Sequence, residues 1–312
     1  MAGAAVQADV TVTMHGPKVG LAVGPGRFHA GEVVVADIGL EPAETVTRLV
    51  TEEILERIPP KTGRDTKYSS GSVLVVGGSR GMSGAAALCA RAAFRADAGY
   101  VAIAAPAESL PVLETLVLEA VKRPLEQVFD AVGRATALAI GPGLGRGGEA
   151  KALVRRLLAE TDLPAVVDAD ALYELEPFER AAPTVLTPHS GELGRLLGEE
   201  SSWVDAHRLE ALARAVDRFG CVVLLKGADT LVGAPGEGVL VRDANTPGLA
   251  TAGSGDVLTG IVAAFLSKGL DARLATAAAA AAQARAASLA DKPRGLVASD
   301  VIEALPHVFE RD

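Results

Sequence analysis

Cysteine is nearly missing from this 312-residue chain: Cys89 and Cys221 are its two. Each sits in apolar company, Ala-Leu-Cys-Ala and Gly-Cys-Val-Val, which reads as a small buried hydrophobe rather than a metal ligand. Aromatics are scarce at 4%, so the 49% hydrophobic content rests on Ala, Val and Leu. A core of small aliphatic side chains suits helices layered on a sheet. No run of Lys or Arg forms a basic stripe, and the net charge is -9. That excludes a nucleic-acid backbone as partner, and any phosphate must be held by local groups. Long hydrophobic runs are lacking too. The stretch Leu274 to Ala290 is broken by Gln283 and Arg285 and is alanine-rich, as a buried helix is, not a membrane span. The first residues lack the positive region and apolar core of a signal peptide. The expectation is a cytoplasmic protein without membrane contact.

What is present is a rhythm of strands and helices. Ser72-Val-Leu-Val-Val76, Tyr100 to Ala104, Thr136 to Ile140, Ala165 to Asp168, Thr184 to Thr187 and Cys221 to Lys226 are continuous apolar runs. Helical stretches fall between them, such as Ser83 to Ala98 and Glu149 to Glu160. Apolar strands separated by helices predict an α/β fold with a mostly parallel sheet covered on both faces. Toward the end, Asp229 to Val232 and Gly238 to Arg242 suggest a hairpin, and two long helices follow from about Gly255 to Leu289. Length alone permits one large domain or two small ones. Residues 1 to 40 differ: two short strands, Val10 to Thr13 and Glu32 to Asp37, flank a Gly- and Pro-rich stretch and must pack on something else. Helix formers from Glu41 to Arg57, closed by Pro59-Pro60, predict a linking helix.

In an open parallel sheet, ligands bind beyond the carboxyl ends of the strands. Polar and glycine-rich residues cluster there in this sequence. Gly77-Gly78-Ser79 leads to Ser83-Gly84-Ala85; it is either a plain turn or a place where backbone approaches a ligand, with Ser83 as a helix cap. It is no Walker A motif, since no Gly-Lys-Ser/Thr closes it. Gly141-Pro142-Gly143-Leu144-Gly145 offers a second bare wall. In Thr187-Pro188-His189-Ser190-Gly191-Glu192, His189 either caps a helix or contacts substrate, and Glu192 suits a helix N-terminus. Lys226 ends a buried strand, so its charge needs an anion: a structural carboxylate or a phosphate. Thr230 adds a hydroxyl.

The strongest pattern runs from Asn245-Thr246-Pro247-Gly248 to Gly253-Ser254-Gly255-Asp256 at the head of a helix. Successive N–H groups at a helix N-terminus attract phosphate. A carboxylate beside such a nest is electrostatically costly unless it works, and taking a proton from an attacking hydroxyl is such work.

Gly253-Ser254-Gly255-Asp256 before a long helix resembles the signature of ribokinase-like kinases. With the Gly77, Gly141, Asp168-to-Leu172, Thr187-to-Glu192 and Lys226-Gly227 motifs, the chain is similar to the NAD(P)H-hydrate dehydratases from about Thr62 to Leu305. The resemblance implies a three-layer αβα sandwich. It implies dehydration of the hydrated S-form of NADH or NADPH at the cost of ADP, or ATP, with Mg2+ on the nucleotide. Asp256 would be the base and Gly253, Ser254 and Gly255 the phosphate nest. Lys226, Gly227, Ala228, Asp229, Thr230 and Gly255 would hold the nucleotide. Ala85, Gly143, Gly145, His189, Asn245 and Asp256 would contact the hydrated dinucleotide; no residue is assigned as a metal ligand. Residues 1–42 resemble the tail of an epimerase domain without its nucleotide-binding body, 43–61 a linker and 62–312 the dehydratase. The expectations are no epimerase activity and a homo-oligomer, a tetramer among the options. Two rivals share the nest: a kinase of a vitamin-precursor alcohol, which the Thr187 and Gly141 motifs fit less well, and a non-catalytic nucleotide sensor, which needs no Asp256.

Overall fold

The apolar runs become strands wherever both faces can be buried. In the computed structural model, which describes residues 4–41, 44–243 and 246–310, Ser72–Val76 is buried along its whole length at the middle of a sheet. The strands are β1 (Val10–Met14), β2 (Glu32–Ala36), β3 (Thr47–Leu49), β4 (Ser72–Val76), β5 (Tyr100–Ala105), β6 (Val121–Pro124), β7 (Ala137–Ile140), β8 (Ala165–Val167), β9 (Thr184–Leu186), β10 (Val222–Leu225), β11 (Asp229–Gly233) and β12 (Val239–Asp243). The principal helices are α1 (Ser83–Arg95), α2 (Gly148–Glu160), α3 (Ser190–Leu197), α4 (Arg208–Phe219), α5 (Ser254–Ser267) and α6 (Ala272–Leu289).

Ten strands form one sheet in the order β3-β12-β11-β10-β9-β8-β7-β4-β5-β6. Its pairs are parallel except β10–β11 and β11–β12, the expected hairpin. The chain winds outward from β4 through β5 to β6, then resumes on β4's other side with β7. The order therefore reverses between β4 and β7, where an open α/β sheet forms its ligand crevice.

Alternate strand residues feed two cores. Val73, Val75, Ile103 and Leu224 pack under α1, α5 and α6, while Leu74, Val76, Ile140 and Leu225 pack under α2, α3 and α4. The result is an αβα sandwich. Small residues let the first helical layer pack closely. At Gly260 of α5 a Cβ would fall 2.2 Å from the Cys89 carbonyl oxygen of α1, and the alanines of α6 from Ala277 to Ala282 are all buried. Cys89 and Cys221 are both buried and free. Burial pushes the Cys221 thiol up to about 12. Burial, then the Asp256 and Asp168 charges, raise Cys89 well above its usual range.

The linking helix expected over 41–57 does not form. Thr47–Leu49 pairs in parallel with β12 and extends the sheet, and a 3-10 turn follows at Glu52–Arg57. The β-branched residues Val46, Thr47, Val50 and Thr51 favour extended backbone once an open strand edge is at hand. Ser83 likewise opens α1 as its first residue and makes no side-chain cap. The two N-terminal strands pair in parallel as a separate ribbon. It rests on the β10–β12 end of the molecule, where the Gly24 amide reaches Asp229 Oδ2 at 3.4 Å. Among the described residues, no helix is long and apolar enough to cross a membrane.

Candidate active site

Carboxylates converge beyond the strand ends around one lysine. Asp168, at the end of β8, is 1% exposed. Its Oδ1 lies 2.7 Å from Lys226 Nζ, at the end of β10. Its Oδ2 accepts a 2.7 Å hydrogen bond from Thr259 of α5. Glu192 Oε2 stands 3.7 Å from the same lysine. Burial opposes the charge on Lys226, but Asp168, Glu192 and Asp256 outweigh it and hold its pKa above the usual value. Both readings of Lys226 therefore meet at one place: it has a structural anion, and it stands at the edge of the glycine nest.

That nest is the start of α5. Gly253 adopts a left-handed φ of 85° as the N-cap, and no side chain caps the helix. Ser254 N–H reaches only the Thr251 carbonyl, at 3.4 Å, and the Gly255 and Asp256 N–H groups of the first turn are open to a ligand. A Cβ on Gly255 would come within 3.4 Å of Lys226 Nζ and 3.7 Å of Asp168 Oδ2, so bare backbone lies directly on the ion pair. Thr259 and Gln283 brace this turn: the Thr259 hydroxyl is 3.0 Å from the Gly255 carbonyl oxygen, and Gln283 Nε2 donates to the Ser254 carbonyl at 2.6 Å.

Asp256 projects from the same turn and is half-buried. Its carboxyl is pushed up to about 7, first by burial, then by the Asp168 charge. Lys226 opposes the rise, and Asp170 and Glu192 add to it. A carboxylate with that affinity for a proton is suited to take one from a hydroxyl near neutral pH.

The other sequence-derived residues divide by what they touch. Asp229 is committed within the protein: its Oδ2 lies 2.8 Å from Arg208 Nε, and both side chains are buried. Arg208 Nη2 also donates to the Asp229 carbonyl at 2.6 Å and to the Lys226 carbonyl at 3.3 Å. The Asp229 side chain is therefore a clamp on the loop. Gly227 is glycine for the same reason, since a Cβ there would lie 2.6 Å from Arg208 Nη2. Lys226, Gly227, Ala228 and Thr230 line a cavity of about 880 Å³, with Ser254 and Gly255 also in its wall and Pro247, Leu249 and Leu258 as apolar lining.

His189 caps α3. Its Nδ1 accepts from the Gly191 and Glu192 amides at 3.0 and 3.4 Å, while Glu192 accepts from the His189 amide. The ring remains about half exposed. Gly143 makes room for its neighbours: at φ 60°, a Cβ would meet the Met82 carbonyl oxygen at 2.7 Å and Ala85 Cβ at 3.2 Å. The loops after β4 and β7 are laced together by Gly78 N–H to Pro142 O and Ser79 N–H to Gly143 O. The Gly145 amide donates to Asp170 Oδ2 at 2.9 Å, and Ala85 lies half-exposed in the first turn of α1. Asn245 lies outside the described residues.

Sequence reasoning gave no role to Asp168, Arg208, Thr259 or Gln283. Asp168 carried the same signal as Lys226, a charge closing a buried strand, and was legible on that ground. The other three are polar residues on amphipathic or alanine-rich helices, where nothing local marks them.

Residues 73–307 match the family model for NAD(P)H-hydrate dehydratase. The bifunctional NAD(P)H-hydrate repair enzyme of Moorella thermoacetica is 37% identical over 98% of this chain and 63% of its own length. The chain thus spans about three fifths of such relatives. Among solved structures, the ADP/ATP-dependent NAD(P)H-hydrate dehydratase of Bacillus subtilis, co-crystallised with ATP/Mg2+, superposes with a TM-score of 0.77 at 27% identity, covering 84% of this chain and 97% of that one. A ribokinase-like superfamily protein of Enterococcus faecalis superposes at 0.76 with 24% identity, covering 86% and 98%, and shares the fold.

Proposed function

The chain belongs to the NAD(P)H-hydrate dehydratase family, and from that premise we propose that it returns hydrated NADH and NADPH to working cofactor by nucleotide-dependent dehydration. One observation carries the reading: a half-buried carboxylate, Asp256, raised to about 7 in the first turn of a helix whose N-terminus is left uncapped.

In this reading Asp256 takes the proton of the hydrate's hydroxyl, and the freed oxygen attacks the terminal phosphorus of ADP, or ATP. The amides at Gly253 to Gly255 receive the charge that builds on the transferring group. Phosphate then leaves, driven by the ring-nitrogen lone pair, and the adjoining ring carbon loses a proton. With ADP, the balance is hydrate plus ADP giving the reduced dinucleotide, AMP and phosphate. Lys226 faces the nest and adds positive charge on the nucleotide's side.

Magnesium fits this arrangement as an ion borne by the nucleotide's phosphates. Among the described residues, no three or more His, Cys, Asp or Glu are grouped to hold a cation. Yet Asp168, Glu192 and Asp256 outnumber the one lysine they surround, so further positive charge there is favourable. The ion would neutralise phosphate charge.

We further read residues 62–312 as the dehydratase unit, residues 1–42 as the tail of an epimerase-like domain, the protein as cytoplasmic and the assembly as homo-oligomeric. The test incubates the chain with hydrated NADH, magnesium and ADP or ATP, and follows the return of reduced-nicotinamide absorbance. Return with either nucleotide, with free phosphate released in step, is expected. A stable phosphorylated product without that absorbance would favour an alcohol kinase instead.

A further inference from the structure

The cavity beside Lys226 is closed on its outer side by a part of the chain that the reaction has not used. Gln7, just ahead of β1, and Leu21, Arg27, Phe28, Gly31 and Val33, from the β1–β2 ribbon and its connection, belong to its lining. The family match begins at residue 73, so none of the six lies within it. The ribbon is fastened at this spot. Arg27 donates from Nη1 to the Ala228 carbonyl at 2.7 Å and pairs through Nη2 with Asp243.

Charge and shape give these residues a task. Among the described residues lining the cavity, Arg27 and Lys226 are the cations. Lys226 is already engaged by Asp168. A nucleoside polyphosphate brings several negative charges, and one lysine already paired with a carboxylate is a thin match for them. Arg27 is held by a neutral carbonyl and by Asp243, which is about half exposed. A phosphate oxygen is a stronger partner for a guanidinium than a solvated carboxylate. Phe28 lines the same cavity yet leaves 58% of its surface exposed. An aromatic ring at the rim of a cavity offers a stacking face, and a nucleobase can use it whatever its sequence context.

We propose that Arg27 and Phe28 are nucleotide-contacting residues, so that the N-terminal ribbon completes the nucleotide site of the dehydratase unit. This rests on the nucleotide reading above. It makes the ribbon part of the binding site rather than a passive attachment, and it ties the docking of the ribbon to nucleotide occupancy.

The test titrates magnesium–ADP into the full chain by calorimetry and measures steady-state kinetics on the same samples. In Arg27→Ala, the dissociation constant and KM for ADP should rise about tenfold, the loss of one charge-assisted contact. The kcat and the KM for hydrated NADH should stay within about twofold of the unsubstituted chain, because a contact made equally in ground and transition states is lost. Arg27→Lys should recover part of the affinity. Phe28→Ala should weaken ADP binding and Phe28→Tyr should not. Lys18→Ala is the control; it removes surface bonds to Met14 and Gly16 in the same ribbon and should change nothing. Unchanged ADP affinity in both Arg27→Ala and Phe28→Ala overturns the proposal, as does an equal weakening in Lys18→Ala. If Arg27→Ala is unfolded by circular dichroism, the exposed Phe28 pair decides alone. Failure of the unsubstituted chain to bind ADP or ATP would instead overturn the nucleotide reading itself, and this inference with it.

Discussion

Asp256 shows how one side chain can be poised for chemistry at a cost to the fold. Its carboxyl is raised to about 7 by burial and by Asp168. As the proposed base it works only when ionised, so kcat/KM should fall with unit slope as pH drops below about 7, and level off above it. Asp256→Asn should lower kcat by about a thousandfold while ADP still binds. The stability effect has the opposite sign. A raised folded-state pKa means that the neutral form suits the fold and the ionised form does not. The penalty is absent below about pH 4, grows between the unfolded value of 3.8 and the folded value of about 7, and is full above that. Asp256→Asn should therefore raise stability at pH 8, on the order of 2 kcal/mol, and little at pH 4. Urea melts of both proteins at the two pH values check this; equal shifts at both would refute it. Much of this site was legible residue by residue. Asp256 and Lys226 stood out because a charge was set against glycine or a buried strand. The pairing of Asp229 with Arg208 was not legible, because a sequence states a charge but not its partner.

At the scale of elements, the start of α5 depends on a backbone that only glycine adopts freely. Gly253 has a φ of 85°, and an added Cβ would lie 2.6 Å from Leu88 Cδ1 and 3.1 Å from Ala298 Cβ. Gly253→Ala should cost about 1–3 kcal/mol in chemical denaturation. It should also reduce kcat, since the nest and Asp256 share that turn. Wild-type rates in a folded Gly253→Ala protein would separate the nest from catalysis. Strands with both faces buried were read correctly, because continuous apolar runs bounded by glycine have few other uses. The edges were not. Val121–Pro124 carries Lys and Arg as a sheet edge, and Thr47–Leu49 lies in a stretch that looked helical. Edge strands need only one partner and one covered face, so their sequences carry a weaker pattern.

Over the whole molecule, one buried ion pair ties distant parts together. Arg208 on α4 holds Asp229 of β11 and the Lys226 carbonyl, and Asp229 in turn receives the Gly24 amide of the N-terminal ribbon. Arg208→Ala would strand a carboxylate that is 1% exposed in its residue as a whole. The expected cost is about 3–5 kcal/mol, read as a lowered denaturation midpoint. It should also loosen the loop that lines the cavity and so weaken ADP binding. A loss below about 1 kcal/mol would mean that Asp229 finds water or another partner. The αβα layering followed from alternating apolar strands and helices. The docking of residues 1–40 on the β10–β12 end did not, since contacts across some 200 positions leave no periodic trace.

The sequence by itself determined the layered α/β class, the positions of the buried strands, and the glycine nest with its carboxylate at the head of α5. Those features are local: they follow from which residues can be buried, extended or bent where they stand. The tertiary structure alone decided that Asp168 is the anion for Lys226, that Arg208 is the partner of Asp229, and that Arg27 and Phe28 line the cavity beside Lys226. Each is a choice of partner across the fold, and a charge or a ring acquires its role only from what the packed chain brings against it.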